Sequence, residues 1–180
     1  MKQALILIDI QNDYFDGGAM ALYQAEEMLR QSNQLIAYAK IHDHPIYIIQ
    51  HIADENASFF VPKTEGVQLH PKLDISNATA VIQKHYPNSF RGTTLQHELE
   101  QKGISELIVC GAMTHMCIDT TVRAGFDLGY NITLISDACA TKDLLFKDHK
   151  VDAVDVQAAY LAALGQAFCK VVNTETLVAS

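Results

Sequence analysis

Apolar residues in this chain fall in short, nearly unbroken runs. Between the runs lie turn residues and stretches whose apolar positions recur every three or four residues. The runs cover residues 4–10, 45–50, 79–82, 106–110, 132–136 and 169–172. They are rich in Ile, Val and Leu and alternate little, the pattern of strands buried on both faces of a parallel sheet. Met28, Leu29, Leu35, Ile36 and Ala39 recur at helical spacing ahead of the stop at His44-Pro45. Thr93 and Gln96 have the spacing of a capping box around Leu95 and Leu99, and Gly103 supplies a left-handed helix ending. Ile118, Val122 and Phe126 mark one face of a third helix closing near Gly129. Residues 151–165 read as a fourth, with Val154, Ala158, Leu161 and Ala162 inward. Strands and helices alternating through short connections imply right-handed βαβ crossovers. The expected fold is therefore α/β: a doubly wound, Rossmann-like, six-stranded parallel sheet with helices on both faces. No repeat, low-complexity tract or linker divides residues 1–180, which predicts one domain. Residues 52–78 and 137–150 fit the alternation poorly, and long ordered stretches of this kind serve as lids or binding loops.

Charge narrows the partners. Thirteen Lys and Arg against 21 Asp and Glu leave a net charge of −8. No basic nucleic-acid footprint is expected, and no attraction to anionic lipid. Asp9 interrupts the longest early apolar run well short of a membrane span, and the N-terminus has no signal-peptide cleavage pattern. A soluble cytoplasmic protein is the expectation, with its four cysteines reduced. Cys110, Cys139 and Cys169 sit in apolar contexts and read as core fillers.

In open α/β sheets ligands bind beyond the carboxyl ends of the strands, and that rule sorts the polar residues. Asp9 lies in an otherwise apolar run, where an ionised carboxylate is costly unless something compensates it. A structural role, capping the turn Gln11-Asn12-Asp13, is the plainer alternative. Lys84 directly follows the third run, a place where a lysine is commonly a solvated surface group. Cys117 opens the third helix, and with Thr114 as N-cap its first-turn position favours thiolate. A carboxylate, an ammonium and an activatable thiol thus reach one sheet edge, a base, an orienter and a nucleophile. His51, Asp54 and His70 could meet as metal ligands, but their spacing follows no ligand motif, and they read as loop polar groups. His42-Asp43-His44 resembles a ligand cluster too, but lies at a helix end away from this edge.

Five segments in order resemble the isochorismatase-like cysteine hydrolases, the family of nicotinamidases and N-carbamoylsarcosine amidohydrolases. They are residues 7–15 (LIDIQNDYF), 66–71 (GVQLHP), 81–90 (VIQKHYPNSF), 110–118 (CGAMTHMCI) and 137–140 (DACA). The resemblance implies a catalytic triad of Asp9, Lys84 and Cys117. It also implies a cis peptide at Ala112–Met113, with the Met113 and Cys117 N–H groups forming an oxyanion hole. The implied reaction is attack of Cys117 on a small amide, ureido or carbamoyl carbon. Asp9 acts as general base and acid, Lys84 orients it, and a thioester is then hydrolysed. Substrate-facing candidates are Phe15, Phe59, Phe60, His85, Tyr86, Phe90, Thr114 and His115, the aromatics being equally suited to core packing. The nicotinamidase Asp-x-His metal pair is missing, so no metal or other cofactor is expected; the partners are a small-molecule substrate and, by resemblance, further copies of the chain. Vinyl ether hydrolysis of the isochorismatase type, and a thiol redox or sensor role for Cys117, remain alternatives.

Overall fold

The apolar runs pair side by side into a single parallel sheet. The computed structural model describes residues 2–179. Six strands, β1 (Lys2–Ile8), β2 (Ile46–His51), β3 (Ala80–Lys84), β4 (Ile104–Ala112), β5 (Asn131–Ala140) and β8 (Lys170–Val172), lie in the order β3-β2-β1-β4-β5-β8. The helices are α1 (Ala25–Ile41), α2 (Leu95–Gln101), α3 (Asp119–Asp127), α4 (Ala153–Ala167) and α5 (Thr174–Val178). Successive side chains of a strand point to opposite faces, so the central strands feed two cores. Leu5, Leu7, Ile108 and Cys110 pack with Met28, Leu35 and Ile36 of α1. Ala4, Ile6, Ile8, Tyr47 and Val109 pack with Leu95 and Leu99 of α2, Val122 of α3 and Leu164 of α4. Each fully buried Leu or Ile contributes about 1.5–3 kcal/mol, so this double burial is the main source of the sheet's stability. Among the described residues no helix is long and apolar enough to cross a membrane.

Several local expectations need correction. β1 ends at Ile8, so Asp9 lies just beyond the strand, with φ +56°. The Thr93/Gln96 box does not form: the Thr93 hydroxyl donates to Ser89 O at 2.6 Å, and Gln96 pairs with Glu100 at 2.8 Å. Gly103 does take the left-handed conformation, φ +65°, that ends α2. Phe126 is exposed although Ile118 and Val122 are buried. In α4 the inward residues are Ala153, Val156 and Leu164, with Leu161 half-buried; Val154, Ala158 and Ala162 face outward. Cys169 is half-buried, whereas Cys110 and Cys139 are buried. Part of the stretch 137–150 extends β5, and the rest enters an antiparallel hairpin of β6 (Leu144–Phe146) and β7 (His149–Val151). Residues 52–78 hold no strand or helix but are tied down. The buried Asp13 carboxylate accepts the Phe60 N–H at 2.6 Å and the Ala19 N–H at 3.1 Å. Gly66 lies against that carboxylate with no room for a Cβ.

Candidate active site

From β1 the chain winds outward through β2 and β3, then returns to lay β4 on the other side of β1. The β1–β4 gap is therefore the topological switch point, where a crevice opens at the carboxyl ends. Asp9 follows β1 and Cys117 follows β4 across that gap, while His51 ends β2 and Lys84 ends β3.

The backbone at this edge is shaped for close approach. Asp9 occupies the left-handed region, where Asp is among the residues best tolerated. Its N–H donates to Ile49 O at 3.0 Å. Gly111 has φ +121°, and a Cβ there would collide with the Ile8 backbone, so glycine alone lets β1 and β4 come this near. The Ala112–Met113 peptide is cis. A π-helical turn over Thr114–Ile118 follows, in which Ile118 N–H, rather than Cys117 N–H, donates to Met113 O at 3.2 Å. Such turns concentrate at functional sites. Thr114 is not an N-cap; its buried hydroxyl donates to Ala140 O at 3.1 Å and ties the turn to the end of β5.

The three side chains singled out in the sequence meet. Lys84 Nζ lies 2.8 Å from Asp9 Oδ2 and 3.1 Å from Cys117 Sγ. Asp9 and Lys84 are 0% exposed and Cys117 4%. Apart from the Lys84 ion pair, the Asp9 carboxylate oxygens have no hydrogen-bond partner among the described residues, and the Cys117 sulfur lies within 4.8 Å of a carboxylate oxygen. Burial works against the Lys84 charge, but Asp9 and Cys117 outweigh it and raise the ammonium's pKa. Burial, reinforced by the Asp9 charge, pushes the Cys117 thiol well up, against the pull of Lys84. Burial thus works against the thiolate that the first-turn position favours. The sulfur lies beside the ion pair, with the Asp9 carboxylate close by as the acceptor for its proton. Tyr14 stays a phenol, its pKa raised by burial and by the charges of Asp9, Cys117 and Asp13.

His51 completes the cluster, with Nδ1 2.8 Å from Lys84 Nζ and 3.9 Å from Asp9 Oδ2. Asp9, His51 and Cys117 hold donor atoms within 4.8 Å of one another, the one such group of His, Cys, Asp or Glu among the described residues. The set does not fit a metal ion, because the Lys84 ammonium already contacts all three donors and fills the place of a cation. Asp54 and His70 do not join His51: Asp54 is exposed, and His70 stacks on Phe15 with centroids 4.1 Å apart.

The candidate substrate residues separate. Phe60 is fully buried against Tyr14, centroids 4.6 Å apart, and 5.9 Å from the His51 ring, with Phe59 half-buried beside it. His85 donates to Ile52 O at 2.9 Å, and exposed Tyr86 carries Arg91 over its ring at 3.6 Å. His115 pairs with Thr141 Oγ1 at 2.6 Å, and burial, then Lys142, lowers its pKa. Phe15 is a buried core residue. Phe90, half-buried, stacks on Tyr130, which directly precedes β5, with centroids 5.8 Å apart. Gln11, Asp13 and Tyr14 also support the site, and the one trace of them in the sequence is the polar turn directly after β1.

The family model of the isochorismatase domain matches residues 3–176. The isochorismatase family protein YddQ of Bacillus subtilis (strain 168) is 42% identical over 179 residues, 99% of each chain. The nicotinamidase of Escherichia coli (strain K12) is 27% identical over 195 residues, 87% of this chain and 92% of that one. The crystal structure of an isochorismatase from Pseudomonas putida KT2440 superposes with a TM-score of 0.91 at 34% identity, covering 97% of this chain and 89% of that one.

Proposed function

The chain belongs to the isochorismatase family of hydrolases, and we propose that it cleaves a small amide, ureido or carbamoyl C–N bond through a thioester on Cys117. The observation that carries this reading is the buried contact of one ammonium with both a carboxylate and a thiol, 2.8 Å and 3.1 Å away. Similarity to a nicotinamidase supports an amide as the substrate class. Asp9 takes the thiol proton as sulfur attacks the carbonyl carbon, and Lys84 pairs with the thiolate as it develops. The oxyanion collects the N–H groups of Met113 and Cys117. Asp9 then returns the proton to the leaving nitrogen and activates the water that hydrolyses the thioester. No metal enters any step, since Lys84 supplies the positive charge. Phe59, Phe60, His85 and His115 are the side chains to test for substrate contact. A homo-oligomer belongs to the same reading and is tested by sedimentation velocity.

The test is a panel of primary amides, ureido acids and isochorismate, read by ammonia release for the first two and by pyruvate release for the last. Ammonia from wild-type protein, and none from Cys117→Ala, is the expected result. Pyruvate release that survives Cys117→Ala would replace the reading with vinyl ether chemistry.

A further inference from the structure

We infer that His51 is a positioning residue of this site: its Nδ1 takes the third N–H of Lys84 and fixes the ammonium so that the other two reach Asp9 and Cys117. A lysine ammonium has three donors and no acceptor. Here all three have partners, Asp9 Oδ2 at 2.8 Å, Cys117 Sγ at 3.1 Å and His51 Nδ1 at 2.8 Å. Strand order requires some such contact. Lys84 ends β3, two strands from β1, and its side chain must pass the end of β2 to reach Asp9; His51 is paired with Lys84 in the β2–β3 register. A flexible four-carbon stem crossing that distance gains a defined end point only if something holds it there.

His51 is itself held. The fully buried Gln11 brackets its backbone, accepting the His51 N–H at 2.7 Å and donating to His51 O at 2.9 Å. The Gln11 amide also donates to Val67 O at 2.8 Å, which ties the loop over the site to the same support. Because Lys84 can only donate, His51 Nδ1 accepts, and the neutral ring carries its proton on Nε2. The titratable groups facing the ring are Lys84 from β3, His85 just after it, Asp9 after β1 and Cys117 after β4. Burial, then Lys84, lowers the pKa of His51; Asp9 opposes this and His85 adds to it. Protonation would set two cations 2.8 Å apart and break the Lys84 contact, so the arrangement carries an acid limit.

The role rests on the proposed cysteine chemistry, and its test can be separated from it. The probe is iodoacetamide, with alkylation of Cys117 followed by intact-protein mass spectrometry across pH, alongside ammonia release from the panel. Asn places an acceptor oxygen near the position of Nδ1 but does not titrate; Leu supplies no acceptor. His51→Leu is expected to slow Cys117 alkylation about tenfold, the scale of one charge-assisted hydrogen bond. His51→Asn should restore most of the rate and lose the acid limb of its pH profile. Wild-type rates in folded His51→Leu, or a wild-type acid limb in His51→Asn, would overturn the role. If His51→Leu does not fold, the His51→Asn profile decides alone. Failure of the panel in wild-type protein would remove the hydrolase reading while the alkylation profiles still judged His51.

Discussion

Lys84 carries the charge balance of the site, because it is the counter-ion of a carboxylate with no solvent exposure. Lys84→Met is expected to destabilise the fold by about 3–5 kcal/mol, the cost of leaving a buried charge unpaired, as measured by urea unfolding. An undiminished midpoint would mean that Asp9 does not need the lysine. His51 gives a pH dependence of definite sign. Its folded-state pKa lies below the ordinary 6.5, so on acidification the unfolded chain takes up a proton that the folded chain refuses. Wild-type protein should therefore lose stability relative to His51→Asn as pH falls from about 7 to about 5, the range where histidine titrates. Parallel stabilities would show that His51 is not perturbed by folding. Asp9 and Lys84 were legible in the sequence because one breaks an apolar run and the other directly follows one, and Cys117 because it opens the helix after the fourth run. The partnership of His51 with Lys84 was not, since it depends on which strand lies between β3 and β1, and no local pattern records strand order.

At the scale of elements, strands were easier to read than helix faces. The Val- and Ile-rich runs admit little but buried strands. In α4 nearly every position is apolar or small, so several stripes satisfy helical spacing, and packing selected Ala153, Val156 and Leu164 over Val154, Ala158 and Ala162. Leu164→Ala should cost about 2–5 kcal/mol and Val154→Ala less than about 0.5 kcal/mol in urea unfolding; equal costs would contradict this assignment of faces. Gly111 lies within the 110–118 segment, but its reason is visible only in three dimensions, where β4 passes the Ile8 backbone too closely for any Cβ. Gly111→Ala should destabilise by more than about 1 kcal/mol, since both its φ and its contact oppose a side chain.

Over the whole molecule, the doubly wound order does two things at once. It buries β1 and β4 between two helical layers, and it opens the crevice where the residues following those strands meet. The two layers also divide the cysteines. Cys110 belongs to the α1 side of the sheet, where it contacts Ser32 Oγ at 3.7 Å, and Cys117 belongs to the opposite side. Mild peroxide should therefore yield no Cys110–Cys117 bridge on peptide mapping, and a bridge in folded protein would favour a redox role. The central claim is that the buried thiol, with its proton acceptor and its ammonium, forms an acyl-enzyme. Rapid-quench intact-mass measurement with a turned-over amide tests it most directly. Wild-type protein should show a transient acyl adduct on Cys117 that vanishes as product forms, and Asp9→Asn should show none on the same timescale. Full turnover with no adduct at any time, matched by Cys117→Ala, would contradict it.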